Sequence, residues 1–156
     1  MGILTALEKV LVPSRRPKVQ QVVLKEIFCK HKTDDTIKRF NTTAVGTAYS
    51  NPDGSDRQKA LSRLKPGEHV RMIWQPEAAG SKDVVYLVRK GRSQEISMPD
   101  CFGRLNDKVA ADVVRWLNQD NIVTEARVSK IVGGTRKRPK LGCILELTTY
   151  AGPSDE

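Results

Sequence analysis

Histidine and cysteine are scarce in this chain, two of the first and three of the second. A zinc site takes three or four such ligands, and the one close pair, Cys29 and His31, has no partner pair elsewhere; Cys101, Cys143 and His69 share no spacing with it. No metal site is expected. An odd number of cysteines without repeated spacing also argues against a disulfide framework, and a reducing, cytoplasmic compartment fits best. Catalytic signatures are missing as well. There is no nucleophile elbow, no Cys–His pair in context, no cluster of carboxylates to hold a divalent ion and no phosphate-cradling glycine loop. The expectation is a protein that is not an enzyme, with no catalytic residues and no cofactor. No apolar run approaches membrane-spanning length. The apolar start, residues 1–12, is interrupted by Glu8 and Lys9 and lacks a basic front, so it is not read as a signal peptide, and Ala6 stands where a myristoylation signal wants Ser or Thr. No membrane partner is expected.

What the chain has in quantity is positive charge. Twenty-seven Lys and Arg against eighteen Asp and Glu give a net +9, which makes a polyanionic partner a natural candidate. Hydrophobic residues, at 38%, suffice for a core without staples, and the length is that of one ordinary domain. Charge is unevenly spread. Residues 1–40 carry nine basic and four acidic residues, over half the excess in a quarter of the length. They read as a basic N-terminal extension whose structure the sequence leaves open. Ile3, Leu4, Leu7, Val10 and Leu11 suggest a short amphipathic turn set, Pro13 and Pro17 bracket basic residues, and residues 19–28 fit helix and strand equally.

From residue 41 the signals sharpen into a domain over 41–150, followed by a short tail, 151–156. Residues 42–49 read as a strand with Gly46 marking a bulge or a close backbone approach. Asn51-Pro52-Asp53-Gly54 is a turn, and Ser55 with Gln58 reads as a capping box opening a helix to about Leu64, stopped by Pro66-Gly67. Leu61 and Leu64 face in; Arg57, Lys59 and Arg63 are expected in water. Val70, Met72 and Trp74 alternate with polar neighbours as a half-buried strand, and residues 84–88 form a central one. Lys90-Gly91 turns into a strand over 93–96. Pro99 is placed in the first turn of a helix carrying Phe102, Leu105, Val109, Val113, Trp116 and Leu117 at helical spacing. Ala126 and Val128, then Leu141, Cys143, Leu145 and Leu147, mark the last two strands, joined by a hairpin loop over 133–140. The fold class is mainly β with two helices, a small six-stranded, OB-like, partly open barrel preceded by the extension.

The ordered series Val45-Gly46-Thr47, Asn51-Pro52-Asp53-Gly54-Ser55-Asp56-Arg57-Gln58, Leu64-Lys65-Pro66-Gly67-Glu68, Pro76 ahead of Asp83-Val84-Val85, Met98-Pro99 and Ile131-Val132-Gly133-Gly134-Thr135 resembles the HIRAN family, in its small bacterial stand-alone form. The likeness spans residues 41–150 and rests on the order of the stretches. It implies a modified OB-like barrel. It also implies a role at DNA, since HIRAN domains at the front of Swi/Snf-type proteins act in repair and replication and capture the 3′-hydroxyl end of a single strand. That pocket combines a first-strand aromatic, an aromatic–acid pair in a loop, and a Gly-(Tyr/His) strand end. Here Tyr49 stands at the first position, but Gly80 and Ser81 take the loop positions and Glu95-Ile96-Ser97-Met98 takes the strand end, so dedicated 3′-end capture is not implied.

The candidate contacts follow from chemistry that grips any nucleic acid. Tyr49, Arg71 and Trp74 would make a stacking platform, an aromatic face beside a guanidinium. Against this, Trp74 shares a face with Val70 and Met72, and its spacing favours the core over the platform. Arg136, Lys137, Arg138 and Lys140 sit in one loop and can neutralise several phosphates, although a basic hairpin tip also serves to discourage strand pairing. Arg57, Lys82 and Asp83 complete the set. The leading expectation is a module binding single-stranded DNA or DNA ends; the alternative is a protein-interaction module with a repurposed pocket.

Overall fold

The structure is a computed structural model that describes residues 3–13, 19–29, 36–79, 82–91 and 94–152, with residues 3–13, 19–23, 28–29 and 77–79 described by their backbone alone. Branched and aromatic residues recurring with period two favour strands, and eight strands form among the described residues: β1 (Ile3–Pro13), β2 (Val19–Cys29), β3 (Thr36–Thr43), β4 (His69–Ala79), β5 (Lys82–Arg89), β6 (Cys101–Arg104), β7 (Ile122–Gly133) and β8 (Leu141–Ala151). Among the described residues two α-helices accompany them, α1 (Arg57–Ser62) and α2 (Asp107–Gln119). All strand pairs are antiparallel.

Six of these strands make the partly open barrel that the sequence led us to expect. The path runs β3, β8, β7, β4, β5, β6. It returns to its start through one bridge, in which Val45 and Arg104 exchange backbone hydrogen bonds of 2.9 and 3.0 Å. The opening lies between β4 and β7, which share only His69–Val70 against Ala126–Arg127 before they part. Along the same strand β4 then turns to β2, pairing Met72, Ile73 and Trp74 with Ile27, Glu26 and Lys25.

This corrects the reading of the first forty residues. Residues 3–11 are no turn set but β1, paired with β2 from Ile3↔Cys29 to Pro13↔Val19. Leu24 and Ile27 are buried, and β3 runs across the boundary placed at residue 41. Strand wins over helix at residues 19–28 because β4 offers unpaired backbone donors and acceptors there, which a β-branched segment can satisfy.

Alternation sorts the side chains of β4. Val70, Met72 and Trp74 join the main core with Leu87, Phe102, Leu145 and Leu147, while Ile73 turns outward into a second small cluster with Leu24, Val88 and Cys101. On β8 the expected face holds: Cys143, Leu145 and Leu147 are wholly buried, each leucine contributing about 2 kcal/mol of transfer free energy. Burial pushes the Cys143 thiol up to about 12 and raises that of Cys101.

The segment after β5 differs most from expectation. Gln94–Ile96 are not a strand, and Pro99 opens only a 3-10 turn over Met98–Asp100. Phe102 lies in β6, and α2 begins at Asp107, where the Asn106 side chain accepts from the Val109 amide at 2.8 Å. A β carbon on Gly103 would come within 2.9 Å of the Val45 carbonyl oxygen, so this stretch is a close-packed strand crossing and not a helix face. Among the described residues no helix is long and apolar enough to cross a membrane.

Candidate functional site

The residues proposed from sequence divide between the two ends of the barrel and its interior. Because β7 rises to its hairpin tip while antiparallel β4 runs away from it, β4 ends and β5 begins away from the β7–β8 hairpin. Lys82 opens β5 there and is exposed, but its ammonium reaches to 3.6 Å from the carboxylate of Asp107, which Arg104 also pairs with at 3.0 Å, so its charge stands next to Arg104. The proposed loop aromatic and acid positions, Gly80 and Ser81, lie outside the described residues, as does His31.

The stacking platform of Tyr49, Arg71 and Trp74 does not assemble. Arg71 and Trp74 are three apart on one strand, an odd offset that puts them on opposite faces. Trp74 is 8% exposed; its indole N–H donates to Asp83 Oδ1 at 2.9 Å and Lys25 Nζ stands 4.8 Å above its ring. Asp83 therefore serves the tryptophan. Arg71 donates through Nε to Glu26 at 2.8 Å and through its terminal nitrogens to the carbonyls of Gln94 and Glu95. It clamps β2 to β4 and carries the 94–95 segment.

Arg57 is also corrected. It was expected in water and is 6% exposed, donating to Asn51 Oδ1 at 2.8 Å and to the Gly46 carbonyl at 2.9 Å. Gly46 has φ +70, and a β carbon there would meet the Arg57 guanidinium at 2.7 Å, so the glycine makes room for the arginine. Asn51 in turn donates to the carbonyls of Met98 and Cys101, fixing the Asn-Pro-Asp-Gly turn to the barrel. The helix cap is Asp56, accepting from the Gln58 amide at 2.9 Å, and not Ser55, whose hydroxyl serves Asp53.

At the hairpin end, two of the expected elements do come together. Residues 134–140 are exposed throughout, and the tip is braced by Thr135 and Arg138, whose backbones bond at 2.9 Å. Arg136, Lys137, Arg138 and Lys140 all lie on it, and between Val128 and Leu145 the sequence has no acidic residue. Among the described residues none of the four has a carboxylate in ion-pair range. Tyr49 stands in the neighbouring loop with 72% of its surface in water. What joins the two is Gln58. Its amide donates to the Thr47 carbonyl at 2.9 Å and the Leu141 carbonyl at 3.0 Å, and accepts from the Leu141 amide at 2.8 Å.

Arg104 was missed by sequence reasoning because residues 101–105 read as helix. A β carbon at Gly46 would lie 3.9 Å from its Nε and 3.6 Å from the Tyr49 ring, so both side chains border the space the glycine leaves, while its terminal nitrogen pairs with Asp107 at 3.0 Å. This part of the barrel thus presents one exposed ring, a guanidinium near it and four cations with no carboxylate in ion-pair range among the described residues, a combination suited to phosphates and to a single base face. Among the described residues no three His, Cys, Asp or Glu side chains gather in a way that could hold a metal ion. No protein-family model, no curated protein and no solved structure matches the chain.

Proposed function

We propose that the chain is a nucleic-acid-binding module of the HIRAN kind that grips single-stranded DNA or DNA ends by its phosphates. The observation that carries this reading is the exposed, acid-free hairpin of Arg136, Lys137, Arg138 and Lys140, held next to Tyr49. Four cations with no carboxylate in ion-pair range among the described residues can displace the counterions condensed on a nucleic-acid backbone, so binding is favoured by salt dilution and indifferent to sequence. One exposed ring adds a stacked base of any identity. Trp74 and Arg71, committed to the core and to Glu26, add nothing to that grip. Asp83 bonds Trp74, which leaves no acid assigned to a 3′-hydroxyl, and selective capture of that end is not part of the proposal.

Fluorescence anisotropy with a labelled oligothymidylate tests it. The full chain is expected to bind in the micromolar range at low salt, with 3′-hydroxyl, 3′-phosphate and circular strands of equal length within about threefold of one another. Arg136→Ala with Arg138→Ala should weaken all three and reduce the salt slope by about 1.4, two contacts at roughly 0.7 each. No binding by the full chain near 50 mM salt, on the order of the range where phosphate contacts are strong, would refute the reading. Salt-insensitive capture of a protein would replace it with the interaction-module alternative.

A further inference from the structure

We infer that Gln58 is a positioning residue that makes the Tyr49 loop and the basic hairpin one binding site instead of two; the inference rests on the reading of that hairpin as a nucleic-acid contact. A primary amide has two donor hydrogens and one acceptor oxygen, and Gln58 spends all three functions on backbone. Both hydrogens go to carbonyls from different parts of the fold, Thr47 at 2.9 Å and Leu141 at 3.0 Å, and the oxygen takes the Leu141 amide at 2.8 Å. Thr47 is two residues before Tyr49, and Leu141 directly follows Lys140. One side chain thus holds the roots of both contact elements within an amide's reach.

Its own mounting is rigid. Helix α1 starts at the Asp56 cap, whose backbone bridges to Ser50, and the preceding Arg57 is buried against Gly46 and Asn51. The loop carrying Tyr49 is therefore pinned to α1 at Gly46, Thr47, Ser50 and Asn51, leaving the Tyr49 ring outside. The hairpin is pinned to the same helix at Leu141. A strand that places a phosphate on Arg136 or Arg138 then finds the ring at a set distance, without a further ordering cost for the second contact. Two contacts pre-arranged in this way act cooperatively, whereas two on independently moving loops act additively.

The test is a double-mutant cycle on oligothymidylate affinity. Tyr49→Ala, Arg136→Ala with Arg138→Ala, and their combination are measured in the native background and again with Gln58→Leu. In the native background the combined loss should fall short of the product of the separate losses by about threefold or more, the interaction expected of coupled sites. With Gln58→Leu that discrepancy should vanish while the salt slope of the otherwise native chain stays unchanged, since no cation has been removed. Gln58→Asn, one methylene too short to span both carbonyls, serves if the leucine variant does not fold, with the same expectation. Undiminished coupling in either variant overturns the inference, as does additivity in the native background. Amide exchange at Leu141 separates this from the functional reading: it should quicken roughly tenfold in Gln58→Asn as one hydrogen bond is lost. A chain that binds no oligonucleotide refutes the function and the role together; a chain that binds but whose Leu141 exchange is unmoved refutes Gln58 alone.

Discussion

Arg71 was a candidate contact and is placed by the structure as a fastener, and the two roles predict opposite behaviour for Arg71→Ala. Its side chain is 12% exposed and that of Glu26 16%, so the pair is largely withdrawn from water. Removing one member of a buried pair costs about 3–5 kcal/mol, because the other charge is left without compensation. The residual exposure of Glu26 lets water recover part of this, which brings the expected loss to about 3 kcal/mol. For a chain of this size that lowers the melting temperature by about 6–12 °C. The Gln94 and Glu95 carbonyls lose their donor too, but both residues are exposed and can turn to solvent. Oligonucleotide affinity, measured well below the melt, should stay within about twofold of the native value, under roughly 0.4 kcal/mol. Glu26→Leu with Arg71→Met, which removes both charges and fills the space, should recover much of the lost stability. A melt within about 2 °C of native, equivalent to less than roughly 1 kcal/mol, or a tenfold loss of affinity in a folded Arg71→Ala protein, would refute the argument.

Three further outcomes follow from the packing. A chain beginning at Thr42 loses β1, β2 and most of β3, exposes the edge of β4 and strands Arg71, so circular dichroism should find no cooperative melt; a sharp transition near the native temperature would contradict the place given to β2. Gly133 has φ +82 and a β carbon there would land on the Lys140 carbonyl oxygen, so Gly133→Ala should cost about 2 kcal/mol or more and shift the hairpin resonances, whereas an unchanged urea midpoint would mean that the turn is not tight. The Cys143 thiol, ordinarily at 9 and held at about 12 by burial, keeps its proton in the folded chain after the unfolded chain has released it. Stability from this group is fully present below pH 9 and is lost as pH rises toward 12, with a slope of at most about 1.4 kcal/mol per pH unit. Urea titrations of the native chain should show a steeper loss over that window than those of Cys143→Ala; parallel curves would overturn the assignment.

Much of the barrel was legible because its strands alternate. The faces of β4 and β8 followed from period two alone, and the turns at Gly54 and Gly67 from residues that tolerate positive φ. Where the reading failed, two patterns coincided. Phe102 and Leu105 are spaced to fit a helix face, and both are buried, but for different reasons: one lies in β6, the other just past it with its amide on the Val85 carbonyl. Gly103 between them was the available signal, since a glycine inside an apolar run marks close backbone approach. The stacking platform failed on arithmetic that was also available, because residues 71 and 74 cannot share a face of an unbroken strand.

The site was legible to the extent that it is local. Four cations in five residues of a glycine-flanked hairpin need no tertiary information to be found, and they lie in water as such a tip must. Neighbourhood is another matter. Gln58 and Leu141 are 83 positions apart and Arg57 reaches back 11 to Gly46, so no window of sequence contains the contact that sets Tyr49 beside the hairpin. The same local pattern, a polar residue three after Ser55, was assigned to a helix cap because capping is the commonest use of that spacing. Asp56 took the cap and freed the Gln58 amide for backbone on two other elements. Charge likewise misled at Arg57: on a short amphipathic helix a guanidinium is expected outside, yet Gly46 leaves a space that only a side chain with several donors can fill without orphaning the Gly46 carbonyl and the Asn51 oxygen. Of the basic residues proposed as contacts, the ones that remain available to a ligand are those that no carboxylate or carbonyl claims among the described residues, a property of the folded neighbourhood and not of the residue.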